Sequence, residues 1–203
     1  MKKLFKTLPL ALIVMSIYSC TSDDETVQDV NDNSSVVTTF TCTQENEGTT
    51  TKAAMGPEGK TILWKSGDAI SIFDGDGNKQ FTLNAGSDGQ KSGSFTGKCY
   101  ESESYVAVYP YTEGATLGED GSVSGITLPA EQTPTIWSFD PKAALMMAVS
   151  TKDKKYNLDF KNAVSLIKLQ IEFPCKKIVL TAKEDIAGTG TLTYNNGEPS
   201  ISF

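Results

Sequence analysis

Residues 69–83, Ala69-Ile-Ser-Ile-Phe-Asp-Gly-Asp-Gly-Asn-Lys-Gln-Phe-Thr-Leu83, read as a β-hairpin and decide the fold class. Ile70 and Ile72 fall on one face of the outgoing strand, Ala69 to Phe73. Asp74 to Asn78 form the tip, and Lys79 to Leu83 returns with Phe81 and Leu83 inward. The tip also invites a calcium test. Asp74, Asp76 and Asn78 copy the first three ligand positions of an EF-hand loop, which then requires Gly at its sixth place and Glu at its twelfth. Lys79 and Ala85 stand there instead, so the segment is predicted as a turn and no metal site is assigned.

The same period of two continues in both directions. A first strand is expected from Val36 to about Cys42, with Val36, Phe40 and Cys42 on one face, followed by a polar loop from Gln44 to Lys60. Further strands are expected at Thr61–Trp64, Ser94–Lys98 and Tyr105–Tyr109, where Val106 and Val108 oppose Tyr105, Ala107 and Tyr109. Asp120-Gly121 turns a hairpin between Leu117 and Leu128. Pro129 to Pro141 is a loop carrying Trp137 and Phe139, an aromatic pair that suits either a lid on the core or a carbohydrate platform. Ala143 to Val149 is apolar throughout and fits a buried strand or a short helix. Tyr156–Phe160 and Val164–Phe173 follow, the latter with Ile167, Leu169, Ile171 and Phe173 inward. Then come Lys177–Ala182, Gly190–Tyr194, a turn at Asn195-Asn196-Gly197, and Pro199–Phe203. Around a dozen short strands without a helical repeat predict an all-β sandwich or barrel of antiparallel strands. The stop at Phe203 leaves two readings: an edge completed by another chain, or a second β domain beginning near 190–203.

The amino terminus carries an address. Lys2, Lys3 and Lys6 precede an apolar run from Leu8 to Ile17, and Ser19 stands directly before Cys20. The run is about half of what spans a bilayer, so it targets the chain rather than crossing the membrane. Residues 1–19 are thus expected to be a lipoprotein signal, with Cys20 the acylated residue; two or three acyl chains hold a protein on a membrane where one does not. A plain secretory signal with an incidental cysteine is the alternative, and Tyr18 is bulky for a lipobox. Residues 20–35 are acidic and polar with almost nothing to bury. They are expected to be a disordered tether leading to a β domain over 36–203.

Composition excludes more than any motif asserts. The net charge is −7 and the pI near 4.7, which argues against nucleic acid as a partner. All 18 basic residues are lysines; histidine and arginine are absent. A Ser-His-Asp or Cys-His nucleophile therefore cannot be assembled, and the bidentate cation that grips phosphate or carboxylate is missing. Cys42, Cys99 and Cys175 have no metal-ligand spacing, and no phosphate loop occurs. The expectation is no enzyme and no cofactor. Two of the three thiols could pair in an oxidising compartment, or all three could be small buried hydrophobes.

Several segments together resemble the fimbrillin family of Bacteroidota surface lipoproteins, over about Thr51 to Gly188. They are Trp64-x-x-Gly67-Asp68-x-Ile70-x-Ile72-Phe73, Tyr109-Pro110-Tyr111, Leu128-Pro129-x-x-Gln132, Asp140 to Ala148, Leu158-x-Phe160-x-Asn162-x-x-Ser165-Leu166-Ile167-Lys168, and Ile186-Ala187-Gly188. Thr21 to Glu25 likewise resembles the acidic surface-export tag that follows the acylated cysteine in such lipoproteins. The resemblance implies the amino-terminal domain of a fimbrial subunit, a transthyretin-like β-sandwich. It also implies outer-membrane anchoring at the cell surface and assembly with other fimbrial subunits by strand donation. Lys52, after Thr51, occupies the place where family members often present the arginine at which the leading strand is cut away. The function expected is a non-catalytic fimbrial subunit or adhesin, bound to the outer membrane through acyl chains and meeting a host or bacterial surface receptor. The alternative is a monomeric surface lipoprotein that binds glycan or peptide through its loops.

Overall fold

Three strands are apolar on both faces, and they organise the molecule. In a computed structural model, described over residues 34–44, 63–133, 139–165, 172–174, 176, 179 and 181–203, eleven strands form: β1 (Val36–Gln44), β2 (Ala69–Asp74), β3 (Gly77–Leu83), β4 (Ser92–Cys99), β5 (Val106–Tyr109), β6 (Thr116–Leu117), β7 (Val123–Leu128), β8 (Met146–Val149), β9 (Asn157–Asn162), β10 (Gly188–Asn195) and β11 (Glu198–Ser202). Seven of them close a barrel in the order β1-β4-β3-β2-β5-β8-β9, and β11-β10-β7-β6 form a second sheet. The all-β expectation is met, with one layer rolled shut.

Ile70 and Ile72 of β2, Ala107 and Tyr109 of β5, and Met146 and Ala148 of β8 point into the barrel. On their other faces Phe73, Val108 and Met147 pack beneath the second sheet, against Val123, Ile126 and Leu192. A strand covered on both sides reads as continuous apolar sequence rather than an alternation, which explains the uniform run at Ala143 to Val149. The buried-strand alternative holds over Met146–Val149, and the 3₁₀ turn before it reaches the run only at Ala143. Pro141–Ala143 is one 3₁₀ turn, capped by the Asp140 carboxylate accepting from the Lys142 N–H, and β8 follows it. The expected opposition of Val106 and Val108 to Tyr105, Ala107 and Tyr109 holds, with each set feeding a different core.

The hairpins follow their turn residues. β2 and β3 pair from Ala69 opposite Thr82 to Asp74 opposite Gly77. At the tip, the Asp74 carboxylate accepts the Asp76 N–H through Oδ1 at 2.8 Å and the Tyr100 N–H through Oδ2 at 2.8 Å. Both oxygens of Asp74 are thus engaged with backbone. β10 and β11 are joined by Asn196 (φ 53°) and Gly197 (φ 84°), a left-handed pair suited to a two-residue turn.

Three expectations need correction. Leu63 and Trp64 are not in a strand; Trp64 enters the barrel from a loop and is fully buried. Phe173, expected inward, is 74 % exposed, and Val179, Thr181 and Ala182 are not in a strand. The physical reason is that each described barrel strand already has two neighbours, so the barrel offers Phe173 and Val179 no free edge. Alternation encodes a strand's faces but not the vacancy of a sheet. Ile62, Trp137, Cys175 and residues 166–171 lie outside the described residues, as do Cys20 and Lys52.

Packing leaves no room for a side chain at Gly97, where β4 pairs with β3. A Cβ on Gly97 would lie 2.7 Å from the Gln80 carbonyl oxygen and 2.8 Å from the Phe81 ring, whereas one on Gly75 would meet nothing within 4 Å. Gly97→Ala is expected to destabilise the protein by about 1–3 kcal/mol, and Gly75→Ala to stay within about 0.5 kcal/mol of wild type. Urea unfolding of both variants checks this; equal midpoints would contradict the packing described.

Candidate functional site: the seam filled by the first strand

β1 alternates between core and solvent. Thr38, Phe40, Cys42 and Gln44 are buried, while Val36, Val37, Thr39 and Thr41 are exposed. The inner positions match the sequence reading for Phe40 and Cys42. Val36 does not join them, because it sits at the open end of the strand, 46 % exposed. The Phe40 ring stands edge-on to three others, with centroids 5.3 Å from Phe81, 4.9 Å from Tyr105 and 5.8 Å from Tyr156. Such pairs contribute roughly 0.5–1.5 kcal/mol each beyond burial.

The backbone of β1 is paired on both sides. It runs antiparallel to β4 over eight residue pairs, from Val36 opposite Cys99 to Thr43 opposite Ser92. Against β9 it runs parallel over four, from Thr41 opposite Asn157 to Gln44 opposite Phe160. This is the one parallel pairing among the described strands. Without β1, six antiparallel strands remain, with β4 and β9 as edges facing a common gap. That gap would be about two strand spacings wide, roughly 9–10 Å. With β1 in place the seam is sealed within one chain.

The aromatic residues quoted for the family resemblance meet beside this seam. Trp64 donates from Nε1 to the Cys42 carbonyl at 3.1 Å and packs edge-on against Phe95, Tyr109 and Phe160. The Tyr109 hydroxyl donates to Asp68 Oδ1 at 3.1 Å, and Asp68 Oδ2 accepts the Lys65 N–H at 2.7 Å. Burial raises the Asp68 carboxyl above its ordinary range, against the pull of those two bonds, and burial beside Asp68 raises the Tyr109 hydroxyl as well. Trp64, Asp68, Tyr109 and Phe160 thus serve to pack the barrel interior and to hold the loop that carries Trp64.

Burial keeps the two described thiols of the seam protonated. Burial, with the negative charge of Asp159, pushes the Cys42 thiol up, and burial also raises Cys99. Both thiols are free. Cys42 lies opposite Gly93 and Cys99 opposite Val36, six residues apart along the ladder. That is about 20 Å, far beyond disulfide reach. Burial likewise raises the Tyr105 hydroxyl to about 12, while it donates to the Tyr100 carbonyl at 3.0 Å and accepts the Ser102 N–H at 2.9 Å. No group of three or more His, Cys, Asp or Glu among the described residues could hold a metal ion.

Gln44 is the residue that sequence reading missed, having been placed at the start of a polar loop. It is 2 % exposed, and neither its Nε2 nor its Oε1 has a hydrogen-bond partner among the described residues. Each such orphaned group costs roughly 1–3 kcal/mol. The signal was present in the spacing, since Gln44 continues the 40, 42 alternation by one step.

Among the described strands the second sheet keeps two margins, and both are blunt. β6 has two residues. In the two-residue hairpin, Asn195 and Glu198 form the bonded pair, so the nitrogen of Pro199 faces outward and leaves β11 short of an edge donor.

No protein-family model matches the chain, and neither does any curated protein or solved structure.

Phe40→Ala is expected to cost about 3–5 kcal/mol in urea unfolding. Thr39→Ala, one residue away but exposed and bonded only to Thr96 Oγ1, should cost no more than about 0.5 kcal/mol. A comparable loss in both would contradict the one-sided grip of β1.

Proposed function

We propose that the chain is a non-catalytic structural subunit or adhesin of cell-surface fimbriae, anchored in the outer membrane through acyl chains on Cys20 and assembled by β-strand donation. The observation that carries this reading is the seam. β1 alone bridges β4 and β9, its partner strands are distant in sequence, and it closes an otherwise antiparallel sheet. In this reading the acyl chains hold the uncleaved precursor at the membrane; cleavage at Lys52 then severs β1, and Cys20 with it, from the body, β1 leaves, and a strand from another subunit enters. The incoming strand satisfies the backbone of β4 and β9 and fills the pockets at alternate positions. The blunt margins of the second sheet favour this seam over edge-to-edge addition there.

The competing reading, a monomeric surface lipoprotein that captures glycan or peptide, drew on the aromatic loop 129–141. Phe139 of that loop is buried with the barrel core, which reduces the aromatic surface left to face a ligand.

The test uses the protein expressed from its full sequence in a Bacteroidota host. Mild heating in detergent should leave a ladder of joined subunits, Lys52→Gln should collapse that ladder to a single band, and Cys20→Ala should abolish radiolabelled palmitate incorporation. A lone monomer band whose terminus is still Cys20 would overturn strand donation. Unlabelled wild-type protein would overturn the anchor.

A further inference from the structure

Of the four side chains that β1 presses into the barrel, three are accounted for. Phe40 is gripped by aromatic rings, Cys42 is a small buried thiol, and the Thr38 hydroxyl donates to the Val36 carbonyl at 3.3 Å. Gln44 is the exception. It is buried at the end of the strand beside Phe160, its register partner on β9, and both polar atoms of its amide go unanswered among the described residues. An apolar side chain of similar volume would fill the same place without stranding a donor or an acceptor. The resident strand is therefore not the best occupant of its own seam.

We infer that Gln44 keeps β1 exchangeable, and that the seam selects an incoming strand with an aromatic side chain at the Phe40 place and an aliphatic one, not an amide, at the Gln44 place. The inference rests on the strand-donation reading and adds the chemistry of the donated strand. The first strand and its replacement share the Phe40 pocket and the backbone ladder. They differ at the fourth inward position, and that difference gives the exchange its direction. Gln44 acts as a specificity residue through an unfavourable contact, which discriminates as effectively as a favourable one.

The full-length chain, nicked within residues 45–60 by limited lysine-specific proteolysis, is titrated with fluorescein-labelled synthetic peptides spanning residues 36–44. One peptide carries the native sequence and the other the Gln44→Leu change. The changed peptide is expected to displace the resident strand at about tenfold lower concentration. Equal displacement, or weaker displacement by the changed peptide, would overturn the role of Gln44 while leaving strand exchange standing. Entry of neither peptide would overturn strand exchange itself and this inference with it. A second measurement is independent of nicking: the intact Gln44→Leu chain should unfold at a higher urea midpoint than wild type. An unchanged or lower midpoint would show that the amide is held, and would overturn the inference.

Discussion

Everything in the barrel depends on one strand being gripped from inside and bonded on both flanks. Phe40 anchors β1 among Phe81, Tyr105 and Tyr156, and the ladders to β4 and β9 turn six open strands into a closed surface. Closure removes the two edges that would otherwise expose unpaired backbone groups. The same closure buries Cys42, supplies a carbonyl to Trp64, and so fixes the plug of aromatic side chains in the barrel interior. The grip on β1 is uneven, with eight antiparallel pairs to β4 and only four parallel pairs to β9. Parallel pairing is slightly less stable per residue than antiparallel pairing, so the β9 side is where opening is easiest.

The two-core arrangement explains how the body could survive the loss of β1. The second core, between the outer faces of β2, β5 and β8 and the sheet β11-β10-β7-β6, uses no residue of β1. Phe73, Val108 and Met147 are held there whatever occupies the seam. The body thus has a second core of its own, and in the proposed reading the seam is a replaceable wall on it. In the proposed reading this division of labour lets one subunit exchange a strand without losing its fold.

Sequence made much of this legible, for a specific physical reason. The hairpin at 69–83, the opposed faces of β5 and the Asn196-Gly197 turn follow from local rules, namely period two and left-handed turn residues, and all three appear where those rules place them. What sequence could not supply was the non-local pairing. Nothing in residues 36–44 announces a parallel partner at 157–160. Nothing in the sequence around Phe173 announces that its ring is exposed or that the described barrel strands leave no vacant edge beside it. Trp64 shows the same limit, since its apolar neighbours suggested a strand whereas its ring acts from a loop. Gln44 was hidden by its chemistry, because a polar residue before a polar stretch reads as loop until the register shows it facing the core. The composition argument works differently: no histidine and no arginine occur anywhere in the chain, which removes whole classes of chemistry without any knowledge of the fold.

The claim that β1 is a separable wall on a self-sufficient body is tested most directly by native-state hydrogen exchange on the full-length chain. Amides of residues 37–43 should open together, at a lower free energy than those of β2 and β5, because they belong to a different cooperative unit. If the amides of β1 exchanged only with complete unfolding of the barrel, the strand would be an integral stave rather than a removable one, and the account would be wrong.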